Sequence, residues 1–155
     1  MEELTDTSTQ QPEPSDEQIT AEAKFYYNQT GVDILEFGKR LVMMKKRKAH
    51  GEWLSWLKEN FTNLSISTAQ KCIQLYERFG INRDIAAFGT SKMFEMLSLP
   101  ADETTAFIEA KAAAGTPVED MTVKKLREEV QQWKDKAEKA NEDNERGKTY
   151  NVAIR

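Results

Sequence analysis

Apolar side chains recur at Ile34, Phe37, Leu41 and Met44, at spacings of three, four and three that put them on one face of a helix. The helix this predicts runs from Asp16 or Thr20 to Lys48. Ser15-Asp16-Glu17-Gln18 supplies its start, with a hydroxyl N-cap, acids in the first turn and Gln three residues on. Asn28 to Gly31 breaks the pattern and is expected to kink or split it. His50-Gly51 reads as a turn. Glu52 to Asn60 then predicts a short helix that buries Trp53, Leu54 and Leu57, with Phe61 just past its end. Thr62 to Ser65 is a second turn. Ser67 is the expected N-cap of a helix to Phe79 with Ala69, Cys72, Ile73 and Tyr76 facing inward, and Gly80 suits the left-handed residue after it.

Further along, Ser91 opens a short helix ending near Leu99, where Pro100 blocks continuation. Ala101 to Ala114 predicts another, stopped by Gly115 and Pro117. Thr122 caps a final helix in which Leu126, Val130, Trp133, Ala137 and Ala140 recur at four, three, four and three. That heptad spacing predicts a short coiled coil or docking onto the core. The polar stretch Asn141 to Arg155 is expected to fray. Few runs alternate as a half-buried strand would. The fold class is therefore all-α: a compact multi-helix domain over 16–121 with a helix-turn-helix at 52–79, then a C-terminal helix at 122–144 and a flexible tail at 145–155. Residues 1–15 lack the apolar surface that offsets ordering entropy and are expected to be a disordered acidic tail.

With 155 residues, 31% of them charged, the chain has apolar material for one modest core. The net charge of -4 is unevenly distributed. Residues 1–23 carry 7 acids and no base, 24–99 carry 12 bases and 7 acids, and 100–155 carry 10 bases and 12 acids. A basic middle thus lies between an acidic N-terminal tail and a near-neutral C-terminal part. The lone Cys72 cannot form an internal disulfide, no apolar run is long enough to span a bilayer, and the first residues do not read as a secretion signal. A cytoplasmic protein is expected.

Catalytic chemistry finds little footing. His50, the only histidine, stands beside Lys45-Lys46-Arg47-Lys48, with no carboxylate at a spacing that orients it as a general base. One His and one Cys do not build a zinc site. Gly147-Lys148-Thr149 resembles the end of a phosphate-binding loop, but Glu142 occupies the position of the required earlier glycine. Cys72 reads as a small core residue. The expectation is no enzyme, no cofactor and no metal.

Two short helices joined by a tight turn are another matter. Outward on the second fall Ser67, Thr68, Gln70, Lys71 and Gln74, a short polar set with one cation and no acid. Gln pairs with adenine edges, Lys with guanine, and Ser or Thr with phosphate or base. Lys45, Lys46, Arg47 and Lys48 precede the motif as candidate phosphate contacts, and Arg78 extends the footprint. Double-stranded DNA is the partner this implies, met by a homodimer through 122–140 on a two-fold site. A rival reading takes Trp53, Trp56 and Trp133 as interface anchors of an adaptor, or of an inhibitor of a host nucleic-acid-binding factor.

The ordered series Ile19-Thr-Ala-Glu22, Phe25-Tyr26-Tyr27, Ile34-Leu-Glu-Phe-Gly-Lys-Arg-Leu41, His50-Gly-Glu-Trp53, Trp56-Leu57, Asn60-Phe61 and Ser67-Thr-Ala-Gln70 resembles an uncharacterised family of Gram-positive bacteria, their phages and conjugative elements. The resemblance covers about 19 to 131, including Ser91-Lys-x-x-x-x-Leu-x-Leu-Pro100 and Val118-Glu-Asp-Met-Thr122. It implies a helix-turn-helix in the middle of the chain and a DNA-binding or regulatory role in a mobile element. The Ser91 to Pro100 stretch is also faintly similar to the helical DNA-binding part of plasmid-partition proteins, whose nuclease-like N-terminal motifs are absent from this sequence.

Overall fold

The computed structural model describes residues 12–28 and 33–153. Among these, eight α-helices follow in order: α1 (Asp16–Asn28), α2 (Ile34–Arg47), α3 (His50–Asn60), α4 (Ile66–Phe79), α5 (Arg83–Ala86), α6 (Thr90–Met96), α7 (Thr104–Ala113) and α8 (Val123–Ala153). Single 3₁₀ turns at Ala101–Glu103 and Val118–Asp120 complete the secondary structure, and no strand occurs among the described residues. The fold is all-α.

Several boundaries differ from those the sequence suggests. The long first helix is two helices, and residues 29–32, where the interruption was expected, lie outside the described residues, as do 1–11 of the acidic tail. Ser15 caps α1, accepting from the Gln18 backbone N–H at 3.1 Å. The capping box is only half formed, because the Gln18 side chain donates forward to Glu22 at 3.4 Å instead of returning to the cap. His50 and Gly51 are not a turn but the first residues of α3, after Ala49 as N-cap. The first N–H groups of a helix need no intrahelical partner, so glycine is tolerated there. Ser65, not Ser67, caps α4: its Oγ accepts from the Thr68 N–H at 3.0 Å, which leaves Ser67 inside the first turn. The Ser91 helix opens one residue earlier, after Gly89 at φ +90°.

Three connected clusters form the core. The largest joins Ile19 and Ala23 of α1, Phe37, Leu41 and Met44 of α2, Trp53, Trp56 and Leu57 of α3, and Ala69, Cys72 and Ile73 of α4. A second holds Leu35, Leu75 and Met93, and a third holds Met96, Leu99, Phe107, Val118, Met121, Leu126 and Val130. Helix α6 therefore bridges the two halves, with Met93 in one and Met96 in the other. Burial of Trp53 (4% exposed) and Trp56 (8%) makes both core residues, stacked at 5.5 Å between ring centroids.

The heptad residues Leu126 and Val130 are buried within their own chain, so the pattern docks α8 onto α6 and α7. Trp133 stands edge-on to Phe107 at 5.5 Å. Beyond it Ala137 is half-buried and Ala140 exposed, yet the helix continues to Ala153 where fraying and a tail from 145 were expected. Lys, Glu and Ala are frequent in this extension, and their intrinsic propensity favours helix.

Candidate nucleic-acid interface

Helix α2 is the scaffold on which α1 and α4 are set. Gly38 abuts Cys72 and Tyr76, and Ile34 and Leu35, at the start of α2, join a cluster with Leu75 and Phe79, near the end of α4. The two helices therefore run antiparallel. Seven residues separate Gly38 from Lys45 and Cys72 from Ser65, about 10 Å along each axis. The basic last turn of α2 and the first turn of α4 consequently lie at the same end of the pair.

Helix α1 also runs antiparallel to α2, because Asp16 pairs with Arg47, Glu22 with Arg40, and the Tyr27 ring with Phe37. Its acidic first turn is thus brought to the basic end. Asp16 meets Arg47 at 3.0 Å and Lys48 at 3.8 Å. Lys45 and Lys46 are exposed and carry no ion pair among the described residues. The four cations expected to act together are therefore of two kinds, two open and two shared with an acid. Arg40 is different again. It is largely buried, held by Glu22 and Glu36 and lying over the Tyr26 ring at 4.7 Å, so it contributes to packing.

On α4 the inward face is Ala69, Cys72, Ile73 and Leu75, with Tyr76 half-buried. Ser67, Gln70, Lys71 and Gln74 are exposed, and α8, which packs against α6 and α7, does not cover them. Thr68 is half-buried and engaged in the cap, since its Oγ1 accepts from Ser65 at 2.8 Å. Lys71 is exposed, with its ammonium 5.8 Å from the Phe94 ring centroid of α6. Arg78 stands apart from the other expected contacts. Its Nη1 donates to the backbone carbonyls of Met96 at 3.1 Å and Leu99 at 2.8 Å, and burial lowers its pKa from the ordinary arginine value. It clamps the end of α6 to α4. Glu77, which the sequence reading left out, is exposed on the same side as Gln70 and Gln74, one turn nearer the C-terminus.

Sites for other chemistry are sparse. Burial pushes the Cys72 thiol up to about 12, which keeps it protonated and unreactive. His50 is exposed at the start of α3. Among the described residues no group of three or more His, Cys, Asp or Glu side chains could hold a metal ion. A cleft of about 490 Å³ between α1, α2 and α3, lined in part by Asp16, Thr20, Lys48 and Trp56, contains neither His nor Cys. No helix among the described residues is long and apolar enough to cross a membrane.

A family model described as a protein of unknown function (DUF3102) matches residues 15–133. Neither a curated protein nor a solved structure matches the chain. The matched span begins at the cap of α1 and ends at Trp133, whose ring packs on Phe107.

Proposed function

The chain belongs to the DUF3102 family, and we propose that it binds double-stranded DNA, with α3 and α4 acting as a helix-turn-helix and α4 entering the major groove. One observation carries this reading: the exposed face of α4 is left uncovered, and the cations at the end of α2 stand at the same end as its first turn. In a helix-turn-helix the N-terminal residues of the recognition helix meet base edges while flanking cations neutralise phosphates. Ser67, Gln70 and Gln74 take the first role. Lys45 and Lys46 take the second, joined by Arg47 and Lys48 when phosphate displaces Asp16.

The protein is read as a cytoplasmic regulator of a phage or mobile element, not an enzyme. The mobile-element part rests on the family resemblance in the sequence. A homodimer on a two-fold site is part of the same reading. Because Leu126 and Val130 are internal, pairing within 122–140 falls to the surface around Ala137 and Ala140. The adaptor reading is not favoured, since two of its three anchors, Trp53 and Trp56, lie in the core.

The test is binding to random duplex DNA across a salt series, for the wild type and for Lys45→Ala/Lys46→Ala. Counterion release predicts a steep loss of affinity with salt, and a slope smaller by about 0.9 for each phosphate contact removed. Absence of measurable binding at low salt would end this reading.

A further inference from the structure

Two cations on α4 have the chemistry to read guanine, and both turn toward α6. Lys71 holds its ammonium 5.8 Å from the Phe94 ring centroid, and Arg78 donates to the carbonyls of Met96 and Leu99. Open on this side of α4 are Ile66, Ser67, Gln70, Lys71 and Gln74. Ile66, in the first turn of α4, is 42% exposed, which is unusual for a large aliphatic side chain on an amphipathic helix. Residues four apart are surface neighbours, so Ile66, Gln70 and Gln74 form one ridge. At about 1.5 Å per residue the ridge is about 12 Å long, the rise of roughly three to four base pairs.

We infer that this ridge selects A·T pairs in the major groove, Ile66 covering a thymine methyl while Gln70 and Gln74 pair with adenine. The inference rests on the proposed duplex-binding reading and specifies its ligand. The chemistry follows from the base edges. Adenine presents N7 as acceptor and its N6 amino group as donor, which the amide of Gln matches in a bidentate pair, and thymine alone carries the C5 methyl. A guanine edge presents two acceptors, best met by Arg or Lys; Arg78 is clamped to α6, and the exposed Lys71 stands beside the ridge rather than on it. Glu77, an acceptor suited to cytosine, lies about 16 Å further along the helix than Ile66, past the N-terminal part that meets bases.

The experiment has two stages on the full chain. Duplexes are first selected from a random library with the wild type, and the bound sites are expected to share A·T pairs at neighbouring positions. In the selected duplex, each of those pairs is then exchanged for inosine·cytosine, which keeps the A·T minor groove but presents a G·C major groove. Affinity should fall about 5- to 150-fold for each bidentate pair lost. Uracil in place of thymine removes only the methyl and should weaken the wild type about fourfold, while Ile66→Ala should not respond to the exchange. Selected sites rich in G·C, or affinity unmoved by both exchanges, overturn this inference and leave duplex binding standing. No duplex binding by the wild type overturns the parent reading, and this one with it. Circular dichroism and thermal melting of Ile66→Ala separate a contact effect from a folding defect.

Discussion

A Cβ placed on Gly38 would fall 2.3 Å from the carbonyl oxygen of Cys72 and 3.0 Å from its carbonyl carbon. The obstacle is backbone, so no rotamer change relieves it, and the axes of α2 and α4 approach closely only because position 38 has no side chain. Gly38→Ala must push the two helices apart, at a cost of about 1–3 kcal/mol. For a chain of this length each kcal/mol lowers the melting temperature by about 2–4 °C. Since the same contact sets α4 against the basic end of α2, DNA affinity should fall along with stability. A variant that melts like the wild type would show that the helices are not held this tightly.

Arg78 gives a case in which stability and binding should part. Arg78→Met keeps most of the stem but removes a charged donor from two backbone carbonyls, those of Met96 and Leu99. Hydrogen bonds from charged groups contribute about 1.5–3 kcal/mol, and the carbonyls left without a partner add to the loss. The urea midpoint should drop accordingly. The salt slope of DNA binding should stay at the wild-type value, because this guanidinium faces α6. A slope smaller by about 0.9 would instead make Arg78 a phosphate contact.

A third expectation concerns acid. Glu129 accepts from Lys111 at 2.6 Å and is paired with Lys125 at 3.0 Å, and these hydrogen bonds hold its carboxyl below the ordinary glutamate pKa. A carboxyl depressed in the folded state stabilises it fully above the unfolded pKa and loses that contribution as the pH falls through the folded value. Glu129→Gln should therefore lower the melting temperature at neutral pH and converge on the wild type in strong acid. Lys125 is solvent-exposed, so about 1 kcal/mol or less is expected. Parallel melting curves at all pH values would show that the α7–α8 bridge contributes nothing.

Local periodicity made the outward set on α4 legible: Ser67, Gln70, Lys71 and Gln74 are exposed as helical spacing requires. It also placed Ala69, Cys72 and Ile73 inside. Leu75 was missed because its burial comes from the flank, where Leu35 and Met93 join it in a cluster that only the tertiary arrangement creates. Arg78 and Lys92 were illegible for a similar reason. Lys92 donates to the carbonyls of Val118 and Glu119, at 2.9 and 3.0 Å, across 26 and 27 residues of chain. On a helical wheel such a side chain is indistinguishable from a solvated one. Gly38 did leave a trace, since a glycine inside a helix costs about 1 kcal/mol against alanine and so points to close packing.

Asp16 should restrain binding more than it stabilises the fold. Its pairs with Arg47 and Lys48 involve partly exposed groups, so Asp16→Asn should cost about 0–1 kcal/mol in stability. The same change frees two cations at the basic end. Affinity for random duplex at low salt should rise and the salt slope should steepen, by up to about 0.9 for each cation that gains a phosphate. Unchanged affinity and slope would place Arg47 and Lys48 away from the DNA backbone.

The two parts of α8 should behave as different objects. Leu126 is fully buried with Met96, Leu99 and Phe107, and Leu126→Ala should destabilise by about 2–5 kcal/mol. Residues 135–147 are exposed except for the half-buried Ala137, so a chain stopped after Lys134 should stay within about 0.5 kcal/mol of the full protein. That truncation retains the whole family-matched span but removes the surface around Ala137 and Ala140. If copies pair through that surface, sedimentation should show a dimer for the full chain and a monomer for the shortened one, at equal thermal stability. DNA binding should then weaken without change in the preferred half-site, because the reading helix is untouched while the second copy is lost. A shortened chain that remains dimeric would move the interface off α8.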